Sequence, residues 1–86
     1  MSNIFSRVGV RLEVAEDVLG AIIAYHAGEI GKEMAKPNPD ESVIEAAERA
    51  QDEMDELRDS LSVNDPERLE EVIKHYGPIA RELWDL

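Results

Sequence analysis

Apolar residues along this chain return every three or four positions, and two turn-forming stretches interrupt them; that rhythm predicts three helices. The first stripe runs through Leu12, Ala15, Leu19, Ile22, Ile23, Tyr25 or His26, Ile30 and Met34. It predicts a helix from about Arg11 to about Ala35, because Pro37 disfavours helical backbone at Lys36. Residues 1–9 read as loosely ordered. Within "RVGVRLEV" the residues Val8, Val10, Leu12 and Val14 alternate with the period of a strand, but no partner strand follows, so a strand is not expected there.

"KPNPDES", residues 36–42, ends the first stripe with two prolines. Asp40 or Ser42 is placed to cap a second helix, and Glu45, three residues after Ser42, would complete a capping box. That helix is expected over about 41–62, with Ala47, Ala50, Met54, Leu57 and Leu61 on one face. "SVNDPERLEE" then supplies Asp65 as N-cap and Pro66 at the first position of a third helix, whose apolar face is Leu69, Val72, Ile73 and Tyr76. Gly77 and Pro78 should kink or break it before Ile79, Ala80, Leu83 and Trp84 resume that face. The pattern predicts an all-α fold, a three-helix up-down bundle with a Gly-Pro kink in the third helix, built as one domain.

Small residues change this picture at one place. Gly20, Ala24, Ala27 or Gly28, and Gly31 form a strip along the first helix. Each interior glycine costs roughly 1 kcal/mol of helix propensity relative to alanine, and a helix that keeps such a strip usually admits a close neighbour. The neighbour belongs either to this chain or to a second copy, which opens a homodimer as an arrangement for a chain of only 86 residues.

Charge changes it more. In "EAAERAQDEMDELRDSL", residues 45–61, the acids Glu45, Glu48, Asp52, Asp55 and Asp59 repeat the helical steps of the apolar face, offset from it by two residues. Residues 40–71 hold thirteen acids against three bases, ten net negative charges, whereas the rest of the chain carries one of the total of −11. Such a field repels nucleic acid and anionic lipid and attracts basic proteins or cations. Cysteine is absent, which removes disulfides and thiolate metal sites. The longest strongly apolar run is "VLGAIIA", far short of the roughly 20 residues that span a bilayer. Arg7, Arg11 and Glu13 interrupt the start where a signal peptide would need an apolar core, so a cytoplasmic location is expected.

Three uses of the acidic row compete: a solvated face, a docking face for a basic protein, and a metal-ligand set. For metal, Glu53, Glu56 and Asp59 on the second helix and His26, Glu29 and Glu33 on the first have spacings that offer hard ligands to Mg²⁺ or Mn²⁺. "EMDELRD" contains ExxE and ExxD and in this resembles the all-α nucleoside triphosphate pyrophosphatases, which carry ExxE on one helix and ExxD on a later one. Here the two overlap on a single helix, Glu29 and Glu33 stand four apart, and the resemblance covers only these fragments. It implies a metal-dependent nucleotide hydrolase, which is the alternative reading beside a structural helical oligomer.

His26 and His75 have no nucleophile at the spacing of a known motif, and "GEIGKEM" lies inside a helical stripe without the strand that a phosphate loop follows. Tyr76, Ile79, Leu83 and Trp84 could anchor a partner, but in a chain with four aromatics Trp84 is expected to close the core. The preferred reading is a non-enzymatic binding module. Its row Glu45, Glu48, Asp52, Asp55 and Asp59 meets a basic protein, for instance one that itself binds nucleic acid, as antitoxins, immunity proteins and DNA mimics do. No catalytic residue, metal or cofactor is assigned.

Overall fold

The computed structural model describes residues 7–85 and consists there of three helices, α1 (Arg7–Met34), α2 (Glu41–Asp59) and α3 (Pro66–Leu83). α1 is the spine. α2 runs back along it, so that Gln51 Nε2 donates to the Ile23 carbonyl at 3.0 Å, twenty-eight residues away in sequence. α3 runs forward again: Pro66 lies beside Arg7 and Val8, Glu70 takes a forked hydrogen bond from Arg11, and Trp84 reaches Ala21. The order is up, down, up, as the periodicity predicts.

The core sits in the first half of α1. Ala15 and Leu19 are buried with Leu69 and Val72 of α3, and Leu12, Met54, Leu57, Leu61, Ile73 and Tyr76 pack around them. Among the described residues, Leu19 and Leu69 are the two large side chains fully withdrawn from solvent, each contributing about 1.5–3 kcal/mol by burial. α2 and α3 both rest on α1, yet their Cα atoms come within 8 Å of each other nowhere. A trench lined by side chains of both helices, and at one end by Ile22 and His26 of α1, runs between them.

Several boundaries differ from the sequence reading for identifiable reasons. α1 begins at Arg7, about a turn earlier than expected, because Val8 and Leu12 pack on the core at helical spacing and override the local alternation. The expectation for residues 1–6 lies outside the described residues. α2 ends at Asp59, where Ser60 caps it and its hydroxyl donates to the Leu57 carbonyl. Asp40, not Ser42, is the N-cap: its carboxylate accepts from both the backbone N–H and the hydroxyl of Ser42, so no capping box forms with Glu45.

α3 does not break at Pro78 but runs through it. Pro78 is exposed, so the carbonyl of Lys74 that loses its ladder partner faces water. Gly77 has no Cβ to clash with the proline ring, which removes part of the usual barrier to helix before proline. Asp65 and Pro66 start α3 as the sequence predicts, with the Asp65 carboxylate accepting from Arg68 N–H.

The acidic face of α2 as a candidate functional site

Ile44 and Ala47 turn the apolar face of α2 into the bundle, and helical geometry carries the acids to the outside. Glu45, Glu48, Asp52 and Asp59 are exposed and Asp55 is half-buried. The row extends over fourteen helical rises, about 21 Å, and successive members stand roughly 5–6 Å apart. Because the opposite face is packed on α1, the spacing of these charges is fixed by the backbone.

Within the row only Asp55 has an ion pair among the described residues, to Arg58 Nη2 at 3.0 Å. Arg58 also rests against α1 at Gly20, where a Cβ would lie 3.4 Å from its Nη1. Asp55 is thus partly committed to holding an arginine over the α1–α2 seam, and the other four carboxylates are not. Among the described glycines of the small-residue strip, Gly20 is the one that receives a neighbour from α2. A Cβ at Gly28 or Gly31 would meet nothing within 4 Å, so among the described residues no helix packs there.

The carboxylate that the sequence reading undervalued is Glu33. It is 6% exposed, accepts from Lys36 Nζ and from the backbone N–H of Asp40, both at 2.9 Å, and so clasps the turn between α1 and α2. The Lys36 ammonium first, and then the Asp40 N–H, hold its pKa below the ordinary carboxylate value. Ser42, through its hydroxyl and its N–H, does the same for Asp40. A signal was present: Glu33 continues the stripe of Ala15, Leu19, Ile22 and His26, a core position occupied by a charge beside a two-proline turn.

The proposed ligand sets do not assemble. Among the described residues no group of three or more histidines and carboxylates is placed to hold a metal ion. Glu33 is engaged in the clasp, and Glu29 lies 3.7 Å from Lys32 and accepts a hydrogen bond from Tyr25, which raises the phenol pKa. His26 is half-buried with its ring edge-on to Tyr25, and His75 is exposed with its ring edge-on to Tyr76. Trp84 does not close the core as expected. It is 47% exposed, with its indole N–H donating to the Ala21 carbonyl at 2.9 Å and its ring edge-on to Tyr25.

No described helix is long and apolar enough to cross a membrane. Comparison with models of protein families, with curated proteins and with solved structures returned no match, so the reading of function rests on the residues themselves.

Proposed function

We propose that this protein is a small cytoplasmic binding module that docks the outer face of α2 on a basic surface of a protein partner and thereby inhibits or regulates it. The observation that carries this reading is the placement of Glu45, Glu48, Asp52 and Asp59. All four are exposed and without ion pairs among the described residues, on a helix whose other face is anchored in the bundle. Fixed like charges cost repulsion in the free protein, and a cationic partner relieves it on binding. One charge per roughly 5 Å along the row approaches the 3.4 Å phosphate spacing of a single nucleic-acid strand. The class of partner that fits best is therefore a nucleic-acid-binding protein occupied by an imitation of its ligand. Nucleic acid itself is repelled by the same field.

The test is association of the captured partner with Glu45→Lys/Glu48→Lys/Asp52→Lys, a variant that leaves the Asp55–Arg58 pair in place. The association rate should fall by about 10- to 1,000-fold at low salt, and the gap should narrow as salt screens the field. A folded variant that associates at the wild-type rate would return the row to an ordinary solvated face.

A further inference from the structure

The trench between α2 and α3 is a second surface, on the opposite flank of α2 from the acidic row. Two cavities lie end to end in it, about 220 Å³ and 230 Å³, with Tyr76 lining both. Ile22 of α1 floors the first, Ala50 and Met54 form its α2 wall, and Ile79 and Leu83 form its α3 wall. Leu57 and Val72 line the second. Ile79 is 36% exposed at the rim, an isoleucine that the bundle leaves half covered.

From Val72 to Leu83 the α3 wall rises eleven residues, about 16 Å, which is three turns of helix. A helix laid between α2 and α3 would complete a four-helix arrangement and bury apolar residues at i, i+4, i+7 and i+11. The rim decides what kind of helix. Glu53 stands on the α2 wall and Glu71 on the α3 wall, with Arg68 the fixed cation among the lining side chains. All three belong to the segment of residues 40–71, which carries ten net negative charges. Another copy of this chain, itself at −11, meets that field with repulsion.

We infer that the α2–α3 trench receives an amphipathic helix of a partner protein, with an apolar stripe of about three turns flanked by lysine or arginine. The inference goes beyond the docking face of α2 and does not require it, since the two surfaces share no residue.

The experiment is an amide-resonance titration of the whole protein with three synthetic peptides of about four helical turns each. One carries leucines at helical spacing with lysines on the flanks, one has glutamates in place of the lysines, and one has the lysines but dispersed leucines. The first should shift the amides of Ala50, Met54, Tyr76, Ile79 and Leu83, and the other two should not. Ile79→Glu, at a half-exposed rim position, should weaken binding about tenfold or more with the melting temperature nearly unchanged. Glu53→Lys, at an exposed position of the rim, should weaken it by a smaller factor. Shifts confined to Glu45, Glu48 and Asp52 overturn the trench and leave the docking face standing. Equal binding of the acidic peptide, or no shift with any peptide, also overturns the inference. So does concentration-dependent broadening of the trench amides without peptide, which would identify a second copy as the occupant.

Discussion

The two ends of α1 are held by different physics. Near Ala15 and Leu19 the spine is flanked by both other helices, and the side chains between them are buried apolar groups. Toward Met34 the spine outruns α3, whose last residues lie against Ala21 and Tyr25, and its buried neighbours on α2 are Ile44 and Ala47. Two helices alone enclose little apolar surface, and there the chain uses a carboxylate: Glu33 ties the end of α1 to Asp40 at the start of α2. Apolar burial thus sets the global stability, and the polar clasp sets how firmly the α1–α2 turn is closed. Local opening should begin at the clasp.

The strongest way to break this comparison is to remove a core leucine. Leu19→Ala should cost about 2–5 kcal/mol, with about 4–8 °C of melting temperature lost per kcal/mol in a domain of this size. Ile44→Ala, where no third helix lies over the site, should cost about 2 kcal/mol, the bottom of that range. Equal losses in the two variants, read by denaturant unfolding, would mean that the ends are not energetically distinct.

Next in size is the clasp. Glu33→Gln keeps a carbonyl acceptor for the Asp40 N–H but loses the attraction to Lys36, and Glu33→Ala loses both. Hydrogen exchange should therefore accelerate at Asp40 and over Ser42, Val43 and Ile44, more for alanine than for glutamine. The amides around Leu19 and Leu69 should keep their protection. Acceleration at both ends alike would show that the clasp supports the whole bundle.

What was legible in the sequence divides along the same line. The apolar stripes placed three helices and the core residues Leu19, Ile22, Leu69 and Val72, because burial of large aliphatic groups at fixed spacing leaves few alternatives. Asp65–Pro66 was legible because cap and first-turn proline act within one turn. The acidic row was legible as a face, since helical geometry alone puts it opposite the core. Glu33 was legible only as a charge at a core position and not as a clasp, because its partners are a backbone N–H beyond a two-proline turn and a lysine that reads as an ordinary surface neighbour. At Pro78 the sequence left kink or break open, and the helix runs through: whether a proline breaks a helix depends on which face loses the hydrogen bond, and that is set by packing. Trp84 failed likewise, and within the chain Gly20 is the glycine of the small-residue strip that meets a neighbour among the described residues. Glycine and alanine spacing shows where a neighbour could come, not whether one does, and the indole found a carbonyl of α1 at the surface rather than a place in the core.

Acid should then separate the ends more finely. Glu33 and Asp40 at the clasp, and Glu70 beneath Arg11 at the other end, all have pKa values lowered by their partners. A carboxylate whose folded pKa lies below its unfolded one stabilises the fold above the unfolded value, near 4, and that contribution is lost as pH falls through the folded value. The contribution of these three carboxylates should be constant above about pH 5 and be lost progressively below about pH 4. The Arg11–Glu70 fork is exposed on both sides and should be screened by salt, whereas the enclosed Glu33 should be screened less. At high salt the acid response should therefore concentrate in the α1–α2 turn, as read by exchange at Asp40 and Ser42 across a pH series. A decline below pH 4 that is equal at the two ends would contradict this.

The smallest effect expected is that of reversing the row itself. Glu45, Glu48 and Asp52 point away from the core, so Glu45→Lys/Glu48→Lys/Asp52→Lys removes no packing at either end of α1. The charge pairs along α2 nearly balance. A lysine in place of Glu45 would follow Glu41 by four residues, and one in place of Asp52 would precede Asp55 and Glu56, each a favourable pair. Against that, the introduced lysines would face one another and Arg49. With exposed helical pairs worth about 0.2–0.5 kcal/mol each, the melting temperature should move by no more than a few degrees in either direction. The exchange pattern along α1 should stay as in the unaltered chain, with the clasp opening before the core. That outcome fits a face whose charges serve contact with a partner rather than folding. A loss of stability comparable to that of Leu19→Ala would instead make the row part of what holds α2 on α1, and the binding test would need a different variant.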